Sequence, residues 1–158
     1  MNKVIGFIGT GNMAKAMIGG IVKAQIVEAN QIICSNDIVA NLEEINKKYR
    51  VNTTTNNSEV ARKADILFLS VKPQVYEKVI NEIKKEINDN TIIISIAAGK
   101  TTKEVKKMFE RKIKLIRVMP NTPALVGEGM AAICPCEEIQ KEELEEVCNL
   151  FNCFGKCE

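Results

Sequence analysis

Short runs rich in β-branched residues recur along the chain, at Lys3–Ile8, Gln31–Ser35, Asp65–Val71, Thr91–Ile96 and Lys112–Met119. Most are apolar at successive positions, not alternate ones, which is the pattern of strands covered on both faces, as in a parallel sheet. Between them the apolar residues return every three or four positions. Ala14, Met17, Ile18, Ile21 and Val22 form one such stripe, and Val75, Val79, Ile80, Ile83 and Ile87 another, each the buried side of an amphipathic helix. Thr101 and Glu104 have capping-box spacing ahead of Val105, Met108 and Phe109, which predicts a helix start. Leu144, Val147, Cys148 and Phe151 give a last stripe on an acidic helix, whose apolar face packs either on this sheet or on a further domain. Strand and helix alternate from end to end, so the pattern predicts an α/β fold: a doubly wound, mostly parallel sheet with right-handed crossovers and helices on both faces. No linker or repeat interrupts it, and 158 residues is about what one core needs, so residues 1–158 are expected to form one domain.

Composition narrows the function classes. With 46% hydrophobic and 27% charged residues the chain is globular in type. Its net charge of +2 is spread as lysines among glutamates, without the basic stripe that a nucleic-acid partner requires. No apolar stretch reaches ~18 residues and no cleavable leader opens the chain, so no membrane partner is expected and the localisation read from the sequence is cytoplasmic. The six cysteines, at 34, 134, 136, 148, 153 and 157, include no Cys-x-x-Cys pair, and there is no histidine. That spacing does not suit a zinc site, and the expectation is no metal, with the cysteines as reduced thiols. The absent histidine also removes every Ser-His and Cys-His nucleophile, and hydrolase chemistry with it.

In a doubly wound sheet the ligand lies beyond the carboxyl ends of the strands, where the strand order reverses. The first such loop sits in VIGFIGTGNMAKAMIGGI, Val4 to Ile21, between a strand and a helix. Gly9 permits a tight turn, Gly11 lets a backbone approach a pyrophosphate, Ala14 allows close helix packing, and free amides at the helix start receive the anion. This predicts a bound dinucleotide. The second loop holds Cys34, Ser35, Asn36 and Asp37, about twenty residues on, where an acidic residue usually meets the ribose of NAD. Ser35 and Asn36 can donate to a 2′-phosphate, while Asp37 stands late and is read alternatively as the cap of a helix beginning near Ile38. The balance of residue types favours NADP (NADPH) over NAD (NADH), with ordinary turn and cap roles left open for all three.

The stretches GTGNMAKAMIGG, ADILFLSVKPQ, IISIAAGKT and LIRVMPNTPALVGEGMAAI follow in this order, and with them the chain resembles the N-terminal half of pyrroline-5-carboxylate reductase over nearly all its length. The most specific piece is RVMPNTPALVGEG, Arg117 to Gly129, since a glycine-rich turn is shared by many dehydrogenases. The resemblance implies an oxidoreductase of the Rossmann type, in which NAD(P)H delivers hydride to the C=N carbon of 1-pyrroline-5-carboxylate to make L-proline, the last step of proline biosynthesis. It implies that Ile8, Gly9, Thr10, Gly11, Asn12 and Met13 hold the pyrophosphate, Ser35 the adenosine 2′ end and Asn57 the adenosine portion. Ser70, Val71, Lys72 and Pro73, together with Ile96, Ala97 and Ala98, would line the nicotinamide side. Asn121, between Pro120 and Pro123, is typed to bond a carboxamide or substrate group, with a plain turn role as the alternative. No catalytic acid is assignable.

Members of that family continue into a helical second domain that carries the substrate segment and forms the homo-oligomer. This chain stops at Gly155-Lys156-Cys157-Glu158, where the family begins one more strand, and is therefore expected to be a fragment that binds cofactor without turning substrate over. Two other classes stay open: a related imine or β-hydroxyacid dehydrogenase, against which the MPNTPA loop stands, and a nucleotide-binding module without catalysis.

Overall fold

The structure is a computed structural model that describes residues 1–158, the side chain of Thr122 excepted. Eight strands, β1 (Ile5–Ile8), β2 (Ile32–Ser35), β3 (Asn52–Thr54), β4 (Ile66–Leu69), β5 (Ile92–Ser95), β6 (Lys114–Met119), β7 (Gly129–Pro135) and β8 (Gly155–Cys157), form one sheet. Its order is β3-β2-β1-β4-β5-β6-β7-β8. The first six are mutually parallel, β7 runs antiparallel to β6, and β8 runs parallel to β7. The order reverses between β1 and β4, so the crevice of a doubly wound sheet opens above that pair.

The helices divide between the two faces as the apolar stripes require. On one face α1 (Asn12–Ala24), α2 (Val39–Tyr49) and α6 (Lys141–Phe151) bury Met17, Ile18, Ile21, Leu42, Ile45, Val147, Leu150 and Phe151 against the sheet. Phe7 and Phe68, neighbours on β1 and β4, stack there with ring centroids 4.5 Å apart, and Phe151 tilts onto Phe68 at 5.9 Å. On the other face α3 (Asn57–Lys63), α4 (Tyr76–Ile83) and α5 (Thr102–Phe109) bury Val60, Ala61, Tyr76, Val79, Ile80, Val105 and Phe109. The capping box at Thr101 forms: its side chain accepts from the Glu104 amide, and Glu104 accepts from the Thr101 amide. The acidic last helix packs on this sheet.

The five expected strands are all present, each shorter than its apolar run. Two strands were not expected. β3 is polar and only three residues long, an edge strand with nothing to bury. β7 carries the apolar Met130, Ala132 and Cys134 at its exposed positions, which leaves the two-residue alternation of an antiparallel strand nearly silent. Gly155, expected to begin a strand, does so as β8. Asp37 is not the cap of α2: the helix begins at Val39 with Ile38 in the cap position and no side-chain cap, and the Ile38 amide donates instead to Oδ1 of Asn36.

Candidate dinucleotide site

The first loop leaves β1 at Gly9, whose φ of +99° only glycine adopts without strain and whose missing side chain would stand 2.6 Å from the Ser70 carbonyl oxygen. Three strand ends meet there. The Gly9 amide donates to the Ser35 carbonyl at 3.0 Å, and the Ser70 hydroxyl donates to the carbonyls of Ile8 and Gly9 at 3.1 and 3.0 Å. Gly11 is different in kind. Its backbone is extended, it occupies the cap position of α1 without a side-chain cap bond, and a Cβ added to it meets nothing within 4 Å. The protein's own packing gives no reason for glycine there. The first turn of α1 also holds no acidic residue, so no carboxylate of its own offsets the positive end of the helix dipole. That is a cradle for an anion, and a pyrophosphate fits it.

The second corner lies across β2. Thr10 and Asn36 brace each other, with Nδ2 of Asn36 donating to the Thr10 hydroxyl at 2.7 Å. Ser35 is buried, and its hydroxyl donates to Oδ1 of Asn57 at 2.7 Å, while Nδ2 of Asn57 donates to Glu82 at 2.8 Å. A cleft of about 130 Å³ opens beside this chain of bonds, lined among others by Gly9, Ser35, Asn36, Asn57, Lys78 and Glu82. The motif carries no hint of the last two. The only signal for them is their spacing one turn apart on the exposed side of α4.

Beyond the crevice, Tyr76 ties the ends of β4 and β5 together. Its hydroxyl donates to the Leu69 carbonyl at 2.8 Å and shares a hydrogen bond of 3.1 Å with Ser95. Burial pushes its phenol above the ordinary tyrosine range. This link sets the relation between Ser70-Val71-Lys72-Pro73 and Ile96-Ala97-Ala98, although nothing in the motifs singled it out. Lys72 is exposed and begins the short 3-10 turn Pro73–Val75; Ala97 is buried and Ala98 exposed. At the end of β6, Oδ1 of Asn121 accepts from the Met130 amide at 2.9 Å, pinning its loop to β7. The expected site residues thus fall into two groups on one edge of the sheet. Ile8 to Met13, Ser35, Asn36, Asn57, Ser70 and Val71 gather around β1, β2 and β4, while Ile96 to Ala98 and Asn121 stand at the ends of β5 and β6.

A wider groove of about 910 Å³ meets the first loop at Asn12 and runs between α1 and the turn Thr122–Val126. Leu125 and Val126 stand 54% and 76% exposed beside it. All six thiols are free, and burial pushes Cys34 up to about 12. No helix among the described residues is long and apolar enough to cross a membrane.

The chain resembles known proteins in both sequence and fold. The family model described as NADP oxidoreductase, coenzyme F420-dependent, matches residues 4–99. A pyrroline-5-carboxylate reductase of Escherichia coli (strain K12) is 39% identical over 158 residues, which is 100% of this chain and 59% of that protein. The chain therefore spans little more than half the length of the relatives it matches. Among solved structures, a pyrroline-5-carboxylate reductase from Coxiella burnetii superposes with a TM-score of 0.95 at 29% identity, over 99% of this chain and 58% of that one. The pyrroline carboxylate reductase of Plasmodium falciparum, solved with NADP bound, gives 0.89 at 30% identity, over 99% and 57%. A 3-hydroxyisobutyrate dehydrogenase from Mycobacterium tuberculosis, at 15% identity and a TM-score of 0.82, shares the fold. With the glycine-rich cradle inside the matched stretch, the chain belongs to the NADP oxidoreductase, coenzyme F420-dependent, family, and shares the dinucleotide-binding fold of the pyrroline-5-carboxylate reductases on which it superposes.

Proposed function

We propose that this chain is the cofactor-binding part of an enzyme that reduces 1-pyrroline-5-carboxylate to L-proline, with NADPH preferred over NADH. The observation that carries the proposal is Gly11, a glycine that the fold does not need, at the uncapped start of a helix, in a chain that matches pyrroline-5-carboxylate reductases over its whole length. Support for NADPH comes from Lys78 on the wall of the cleft beside Ser35 and Asn36, and from the NADP bound in the Plasmodium falciparum relative.

When bound, the reduced nicotinamide supplies the electron pair and hydrogen that reduce a C=N bond. The residues of this chain bind and orient. The start of α1 takes the pyrophosphate, and the Ser35–Asn57 pair meets the adenosine ribose. The loops fixed by Tyr76 fit the nicotinamide end, with the open amide of Asn121 within the same edge. Tyr76 gives no proton, because its hydroxyl is already committed and its phenol is held protonated. The substrate arrives with its ring nitrogen protonated. Positioning it at ~3–3.5 Å from its donor needs a second wall, which lies in the part of the enzyme outside these residues, as do the contacts of the parent's homo-oligomer. The six free thiols suit a reducing cytoplasm.

Calorimetric titration of this chain with NADPH and NADH, beside an assay of pyrroline-5-carboxylate reduction by the chain and by its full-length parent, tests the proposal. We expect binding by both, tighter for NADPH, and proline formation by the parent alone. A parent that binds the cofactor yet makes no proline from the imine sinks the assignment of substrate.

A further inference from the structure

We infer that Glu82, acting through Asn57 and Ser35, sets how far the site discriminates between a ribose 2′-phosphate and a 2′-hydroxyl. The inference rests on the proposed placing of the adenosine 2′ end at Ser35. A carboxylate can only accept hydrogen bonds. Glu82 therefore requires the nitrogen of the Asn57 amide to face it, at 2.8 Å, which turns the Asn57 oxygen toward Ser35. The Ser35 hydroxyl must then donate to Asn57, at 2.7 Å, and only its lone pairs are left for the cleft. An acceptor at that point suits a ribose hydroxyl, which donates. A phosphate can only accept, and to receive a bond from Ser35 it must reverse the whole chain of bonds. Glu82 also lines the cleft with its own negative charge, in addition to that of Asp37.

Lys78 acts in the opposite sense. It lies one turn before Glu82 on α4, lines the same cleft, and makes no ion pair among the described residues. The cation favours the phosphate, while the carboxylate, by charge and by the direction it imposes on Ser35, favours the hydroxyl. Glu82 is thus a positioning residue that keeps NADH usable in a site that prefers NADPH.

The test is a double-mutant cycle on the chain as it stands, with Kd for NADPH and NADH measured for wild type, Glu82→Gln, Ser35→Ala and the pair. A glutamine still accepts from Asn57 and can also donate to it, so Asn57 is free to reverse while the local contacts are kept. We expect Glu82→Gln to raise the preference for NADPH about 10-fold, roughly what one charge-assisted hydrogen bond supplies, without a change in Tm. In the Ser35→Ala background the same substitution should raise it clearly less, because only the charge then acts. Lys78→Met should weaken NADPH and leave NADH unaltered. An unchanged ratio in Glu82→Gln, or an equal gain with and without the Ser35 hydroxyl, overturns the inference while the cofactor site stands. If wild type binds neither dinucleotide, the site assignment and the inference fall together.

Discussion

At Gly9 the backbone conformation and the Ser70 carbonyl both exclude a side chain, whereas at Gly11 there is room for one. Substitution therefore separates folding from binding. Gly9→Ala is expected to destabilise the chain by about 2 kcal/mol or more, from the strained backbone and the close contact, seen as a lower denaturation midpoint. Gly11→Asp should leave the midpoint nearly unchanged and cut dinucleotide affinity at least ~10-fold, by placing a carboxylate where the pyrophosphate approaches. A midpoint lowered equally by both would show that Gly11 serves the fold after all. The glycine pattern was legible because strand, turn and helix surround it in sequence. Ser35 was legible from its place in the second loop and Asn57 only by resemblance, and their separation of 22 positions hides that they share a hydrogen bond. Glu82 and Lys78 were not legible at all: an exposed Lys and Glu one turn apart look like any solvated helix face until the sheet brings that face beside β2.

Among the elements, the long parallel core was readable because strands buried on both sides have nothing but apolar residues to show. β3 and β7 were hidden for opposite reasons, the first being polar on an edge and the second having apolar Met130, Ala132 and Cys134 on its exposed side, where polar residues would show the alternation. The contact between α4 and the strand ends belongs to this scale. Tyr76→Phe keeps the ring in its core and deletes both of its hydrogen bonds, leaving the Leu69 carbonyl and the Ser95 hydroxyl each short of a partner. We expect a loss of about 1–2 kcal/mol, with an unchanged m-value in urea unfolding. Because the two loops proposed to meet the nicotinamide lose their tether, cofactor binding should weaken as well. A variant as stable as wild type would show that packing of the ring alone holds the two strand ends.

For the whole molecule, acid acts at a cluster far along the chain from the glycine-rich loop. Glu138, after β7, is held down at about 2 by hydrogen bonds from the Cys136 thiol and from Lys106 on α5, the latter at 2.8 Å. A carboxyl with a folded value below its ordinary 4.5 contributes stability that is complete above that pH and lost as the pH falls toward 2. Glu138→Gln should therefore melt below wild type at neutral pH, with the gap closing between roughly pH 5 and pH 2. A gap that stays constant with pH would assign the effect to packing. The same linkage explains how the chain after β7, which turns back to run antiparallel and then climbs through α6, is tied to the far face of the sheet at its turning point.

The Tyr76 tether has an optical consequence as well. The chain has no tryptophan and two tyrosines, so its ultraviolet emission comes from one phenol sealed beneath the strand ends and another, Tyr49, half-buried at the wall of the groove beside Lys48. A neutral quencher dissolved in water reaches the second and not the first. The light that survives it comes from the edge of the sheet where the ends of β4 and β5 are joined.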